Sequence, residues 1–319
     1  MRYAWTLRML LTTLVFCSVV RADVLDKTIL NHTVLISYEV AAHVQPAAKR
    51  SPSGSQRAAP SATPLVVNGT GFLLFHDIGF SKGSVYLVTN RHVLPPEGNK
   101  QDIQIRVVVR QNDGKARIDE ISVPVVGANG RYLPSVRVHP NPSTDVAIID
   151  IGTEAFGSKF QLLIDAITSH RYLDTSMLAT VQNLRSNNIG VGSQVYILGY
   201  PAAIFDPRNA SPVLRQGVIS TDPQEGFNFN QELRRMMSFP EHINGFLVDS
   251  NIYPGSSGSL VVVVPEETST SSRFQPYIVG IVAGSIPMFD PSLRVYSRIG
   301  LGIVYSADTI REVLDTFRR

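Results

Sequence analysis

Three consecutive features of one short stretch could do chemistry: small residues that permit a tight turn, a hydroxyl, and a buried strand directly behind it. The stretch is Asp249-Ser250-Asn251-Ile252-Tyr253-Pro254-Gly255-Ser256-Ser257-Gly258-Ser259-Leu260, and it runs into four valines, 261 to 264. A Gly/Pro/Ser turn before an apolar β-branched run reads as a loop leading into a buried strand. Gly255 and Gly258 flank Ser257 in a G-x-S-G pattern, which singles it out from its neighbours. Glycines there allow a sharp turn and the close approach of a carbonyl to backbone amides. If Ser257 attacks a carbonyl, the N–H groups of Gly255 and Ser257, with that of Ser256 beside them, are the expected oxyanion donors. Taken alone, the same residues also describe an ordinary turn between two strands.

Serine is a weak nucleophile at neutral pH and needs a base, which in turn needs an orienting group. Seven histidines are present, at 32, 43, 76, 92, 139, 170 and 242. No H-E-x-x-H pair occurs, so zinc hydrolysis has little support. His92 stands apart, because it sits in a polar turn, Thr89-Asn90-Arg91-His92-Val93, after the strand-like run that begins at Ser84. Asp145 opens the apolar run Val146-Ala147-Ile148-Ile149. A carboxylate there is either a turn residue or a buried orienting group.

These segments resemble the catalytic segments of chymotrypsin-fold serine proteases, particularly the HtrA (Deg) branch. Thr-Asn-Arg-His-Val-Leu after Gly69-Thr70-Gly71-Phe72 resembles the histidine segment, Asp145-Val-Ala-Ile-Ile the aspartate strand, and Pro254-Gly-Ser-Ser-Gly the nucleophile loop. The resemblance covers roughly residues 33–317. The order His, Asp, Ser fits neither α/β-hydrolases nor subtilisin-like enzymes. The resemblance implies an all-β fold of two barrels with a short C-terminal helix, and a triad of His92, Asp145 and Ser257. It also implies a substrate site at Asn251, Ile252, Ile281, Val282 and Ala283, the last three pairing with an extended polypeptide. Ser259 and Leu260 depart from the family's usual glycine and proline. Ser256 replaces the aspartate that captures a new N-terminus in digestive relatives. An inactive peptide-binding protein of the same fold therefore stays open as the alternative, and an esterase as a third reading.

The positioning elements follow from pattern. Expected strands are Thr33–Val40, a glycine turn at 69–71 leading into a strand, Ser84–Leu94, a hairpin around Asn112-Asp113-Gly114, and the Asp145 strand. Further strands are expected at Gln194–Tyr200, Val213–Ser220, Phe246–Val248, the valine run, Tyr277–Ala283 ending at Gly284, and Gly302–Tyr305. Ser306 is expected to cap a helix over Ala307–Phe317. The domains are then 23–151, an N-terminal barrel with a flexible Ala/Pro/Ser-rich loop at 41–64, a connection at 152–186 with a helix over Phe160–Ile167, and 187–319, the second barrel and helix.

Residues 1–22 read as a secretory signal, with Arg2 and Arg8 before an apolar core, and a retained anchor as the runner-up. Its removal takes away three arginines and no acid, so the net charge of +3 falls to zero. No basic patch for nucleic acid survives. The single cysteine, Cys17, lies in this segment, so the mature chain has neither disulfides nor a thiol nucleophile. A polypeptide substrate, no cofactor, no metal and no membrane partner after cleavage are expected; oligomeric state is not legible.

Overall fold

A computed structural model describes residues 27–40, 65–77, 83–110, 116–152, 173–206, 208, 210–237, 239–265, 276–290 and 295–318. The expected signal at 1–22, the loop at 41–64, the turn at 112–114 and the helix over 160–167 lie outside these residues.

Seven strands form the first sheet: β1 (Thr33–Val40), β2 (Leu65–Asp77), β3 (Gly83–Thr89), β4 (Ile103–Arg110), β5 (Ala116–Val123), β6 (Val136–Val138) and β7 (Ala147–Asp150). All pairings are antiparallel, in the spatial order β5-β4-β1-β2-β3-β7-β6. The ladder does not close among the described residues, yet strands from both edges share one core. Ile121 and Val123 of β5 and Val136 of β6 pack with Ile36, Leu73, Leu87 and Ile105. The sheet therefore wraps around its own interior. The second sheet is a closed barrel, β12-β15-β14-β13-β8-β9, from β8 (Gln194–Gly199), β9 (Val213–Ile219), β12 (Gly245–Asp249), β13 (Leu260–Val263), β14 (Tyr277–Asp290) and β15 (Val295–Ser306). A two-stranded ribbon, β10 (Phe227–Asn228) with β11 (His242–Ile243), interrupts it.

The apolar runs have a physical reason. Side chains alternate across a strand, so a strand buried on both faces is apolar throughout. Val261 and Val263 point into the second barrel, while Leu260 and Val262 join an inter-barrel core. Val85 and Leu87 fill the first barrel, while Tyr86 and Val88 face the same inter-barrel core. That shared layer fixes the two barrels against each other, and the catalytic candidates sit along it.

The helices are short. Among the described residues they are α1 (Lys27–Leu30), α2 (Val181–Ser186), α3 (Gln231–Met237) and α4 (Ala307–Asp315). No helix among the described residues is long and apolar enough to cross a membrane. Helix α4 packs Ile310, Val313 and Leu314 into the inter-barrel layer. Its Glu312 Oε2 accepts from His139 Nε2 at 2.6 Å. Tyr305, at the end of β15, donates its hydroxyl to the Ser143 carbonyl at 2.9 Å. Both bonds tie the loop carrying Asp145 to the second half of the chain. Burial pushes the Tyr305 phenol up to about 12, so it stays a donor at neutral pH.

Several expectations need correction. Residues 69–71 are not a turn but lie inside β2. Gly69 is there because a side chain would meet Val93, whose Cγ1 lies 2.4 Å from where a Cβ would stand. Gly284 does not end its strand. β14 continues to Asp290, with register shifts at 282/284 and 285/287. Ser306 stands at the N-cap, but its hydroxyl makes no cap bond and binds Asn244 Oδ1 at 3.0 Å instead. The helix stops at Asp315, and a single 3-10 turn covers 316–318.

Candidate active site

The imidazole is placed by a 3-10 turn, Arg91–Val93, that follows β3 directly. Val93 and Leu94 are buried and anchor the turn, leaving His92 exposed on its rim. Asp145 lies two residues before β7, which pairs with β3, so strand pairing brings the two residues together. Its carboxylate receives two donors. The His92 backbone N–H reaches Oδ1 at 3.0 Å, and the ring Nδ1 bonds Oδ2. Asn90 Nδ2 donates to the Asp145 carbonyl at 2.7 Å. With a carboxylate on Nδ1, the proton belongs there, and Nε2 is left as the acceptor. That is the tautomer a general base needs.

The serine stands on a turn with its own logic. The Ser256 N–H donates to the Tyr253 carbonyl at 3.0 Å, Pro254 occupies the second position, and Gly255 the third with φ +86°. Those are the marks of a type II turn, which requires positive φ at its third residue. A Cβ on Gly255 would also stand 2.6 Å from the Tyr200 carbonyl. The Ala202 N–H donates to the Pro254 carbonyl at 2.6 Å. In a trans peptide the following N–H points the opposite way, so the Gly255 N–H is turned away from Ala202. Ala202 (φ 51°) and Ala203 (φ 55°) both hold the left-handed conformation to do this, at a cost of about 1–2 kcal/mol each.

The first barrel grips the same turn through Thr70, which is fully buried. Its N–H donates to the Ser257 carbonyl at 2.8 Å, and its Oγ1 donates to the Gly255 carbonyl at 2.8 Å. The Tyr200 N–H donates to Oγ1 at 2.9 Å, and Thr89 Oγ1 donates to the Thr70 carbonyl at 2.8 Å. Thr89 is three residues before His92, so one short network joins the histidine turn to the serine turn. Gly258 (φ +87°) completes it, because a Cβ there would stand 1.7 Å from the Thr70 carbonyl.

The structure brings His92 and Asp145 into direct contact. It does not join Ser257 to them: Ser257 Oγ donates to the Ala283 carbonyl at 3.1 Å, and among the described residues no hydrogen bond links it to His92. Among the described residues, the N–H groups of Gly255 and Ser257 have no protein acceptor, so both remain available to an anionic oxygen. The Ser256 N–H is a correction: it is spent on the Tyr253 carbonyl and is not an oxyanion donor. Ile281 and Val282 are corrections too. Ile281 is paired on both sides, with Leu260 and Tyr305. Val282 exchanges bonds with Gly258 and Ser259 at 2.8 and 3.0 Å. Neither has a ladder position left for a peptide. Ala283 is the extra residue of the bulge between Val282 and Gly284, and bulges re-aim groups beside sites in this way. Ala283, Gly284 and Ser285 form the segment past the end of β13. Asn251 is exposed, and Ile252 is buried with its Cγ1 2.6 Å from where a Cβ on Gly302 would stand.

The two departures in the loop fit sterically, but Ser259 Oγ is buried without a hydrogen-bond partner among the described residues. Leu260 is wholly buried in the inter-barrel layer. Ser259 uses space that Gly199 leaves open, its Oγ lying 1.9 Å from where a Cβ would be.

A family model for the trypsin-like peptidase domain matches residues 69–265. The chain belongs to the trypsin-like peptidase family. That span includes every candidate triad residue of this peptidase and Thr70, which grips the serine turn. A search of curated proteins gives no match. Among solved structures, the chain is similar to Rv3671c of M. tuberculosis H37Rv in an inactive serine-to-alanine form. There it has 13% identity, coverage of 91% of this chain and 89% of that one, and a TM-score of 0.43. It is also similar to AL20, a thermostable serine protease from an extremophilic microorganism, at 11% identity, 91% and 99% coverage, and a TM-score of 0.42.

Sequence reasoning missed Thr70, Ala202 and Arg215, which all bond the serine turn. Thr70 had a signal, standing between the two glycines beside the histidine segment. Ala202 had none, because alanine does not announce positive φ.

Proposed function

We propose that the chain is a secreted serine endopeptidase that cleaves polypeptides through a His92–Asp145–Ser257 triad. The observation that carries this reading is the Asp145 carboxylate holding both the ring and the backbone of His92, which leaves Nε2 as a base. Ser257 Oγ attacks the scissile carbonyl while Nε2 takes its proton. The tetrahedral oxyanion is met by the N–H groups of Gly255 and Ser257. The C–N bond then breaks as His92 returns the proton to the leaving amine, giving an acyl-enzyme. Water, deprotonated by the same Nε2, attacks the ester, and the acid product leaves as Ser257 regains its proton.

The substrate reading rests on β14. Residues 283–285 extend beyond β13, so an extended peptide can add there as a strand. Ile252 fills the space against Gly302, and no carboxylate stands at Asn251 to favour basic side chains. A small or medium apolar residue before the scissile bond is the expected preference. Export is supported by the basic start and apolar core of residues 1–22.

The Ser257–Ala283 bond favours a second reading, a peptide-binding protein without turnover, because the hydroxyl is engaged elsewhere. A peptide library separates the two. The protease reading predicts cleavage after Ala, Val or similar residues, abolished in Ser257→Ala. Binding of peptides without cleavage, unchanged in Ser257→Ala, would establish the second. Cleavage mainly after Lys or Arg would overturn the pocket assignment.

A further inference from the structure

The burial of β9 alternates, and Arg215 breaks the rule that inward positions are apolar. Gly217 and Ile219 are buried, Leu214, Gln216 and Val218 are exposed, and Arg215 shares the parity of the buried set. A charged side chain therefore points toward the inside of the second barrel. Its guanidinium reaches the loop that carries Ser257. One terminal nitrogen, Nη1, donates to the Asn251 carbonyl, and the other, Nη2, to Ser256 Oγ at 3.2 Å. Ser256 is wholly buried, and its Oγ also accepts from the Tyr253 N–H at 3.4 Å. Arg215 Nε is buried without a partner among the described residues.

Such a placement costs stability, because a cation leaves water without gaining a carboxylate. Burial lowers the affinity of Arg215 for its proton, offset in part by the Tyr253 phenol; arginine stays charged regardless. Its two acceptors lie at opposite ends of one turn, five residues apart in sequence. A planar guanidinium spans two such oxygens as a fixed fork, which an ammonium cannot do. Sites that violate local patterning and cost stability are where function is expected.

We propose that Arg215 is a positioning residue that holds the oxyanion turn, 251–257, in its working shape. The inference rests on the protease reading and deepens it. Among the described residues Arg215 bonds none of His92, Asp145 and Ser257; it acts through Ser256 and the Asn251 carbonyl.

The test uses the full chain with Arg215→Met, Arg215→Lys, Ser256→Ala and the Arg215→Met/Ser256→Ala double variant. Each is followed by peptide turnover, fluorophosphonate labelling and amide hydrogen exchange of the 251–258 peptide. Arg215→Met is expected to lower kcat and the labelling rate roughly 10- to 100-fold, the scale of a small misplacement of catalytic groups. KM should change little, and exchange should rise in the turn and not in β13. Arg215→Lys should recover only part of the loss, and the double variant should be no slower than Arg215→Met. Labelling of Arg215→Met at the wild-type rate, unchanged exchange in the turn, or losses that multiply in the double variant would each overturn the proposal. An unlabelled wild-type chain would instead count against the protease reading, and the exchange measurement would still decide whether Arg215 holds the turn.

Discussion

An Asp145→Asn chain is expected to keep its fold and lose about four orders of magnitude in kcat. The carboxylate accepts twice, once from the His92 backbone N–H and once from the ring. An asparagine has one acceptor oxygen. With that oxygen on the backbone N–H, the amide NH2 faces Nδ1 and forces it to become an acceptor. The ring proton then moves to Nε2, where the base should be. The side chain is partly exposed and asparagine is similar in size, so the melting temperature should move little. Turnover at saturating peptide and a thermal melt check both parts. A loss in kcat below ten-fold would mean that Asp145 is a turn residue and not the orienting group.

The second large effect is expected at Thr70→Val. The change keeps the shape and removes one oxygen, which donates to the Gly255 carbonyl and accepts the Tyr200 N–H. Both groups would be left unpaired in a buried place, at about 1–3 kcal/mol each. That corresponds to a fall in Tm of roughly 4–20 °C for a domain of this size. The Gly255 carbonyl helps fix the turn, so kcat should also fall, by about 100-fold if the amides move by an ångström. Thr70→Ser keeps the oxygen and should recover most of both losses. A Thr70→Val chain with unchanged melting and turnover would show that the first barrel does not hold the serine turn.

Much of this arrangement is legible in the sequence. The strands at 33–40, 194–199 and 213–219 are visible because apolar β-branched residues cluster between turn residues. The valine run after Ser259 is legible as buried because both faces of β13 meet apolar layers. The histidine and serine turns announce themselves through residue type. What stayed hidden depends on pairing. Glycine punctuates strands often enough that Gly284 reads as an end, yet it follows a bulge in a continuing one. Ile281 and Val282 look well placed for a substrate strand, but their hydrogen-bonding groups are already taken by β13, by β15 and by the serine turn itself. Residues 69–71 look like a turn, while Gly69 is needed for the approach of Val93. Arg215 fits an exposed strand position until its burial parity is known. Ala202 carries no mark of its left-handed backbone, which only the Pro254 carbonyl explains.

The account's central claim is that Ser257 is made nucleophilic by His92 acting from across the barrel junction. The most direct measurement is fluorophosphonate labelling of the whole chain, with the modified residue located by peptide mass. The account predicts a single adduct on Ser257, absent in Ser257→Ala and slowed at least a thousand-fold in His92→Ala. An unmodified Ser257, or a Ser257 adduct formed equally fast without His92, would contradict it.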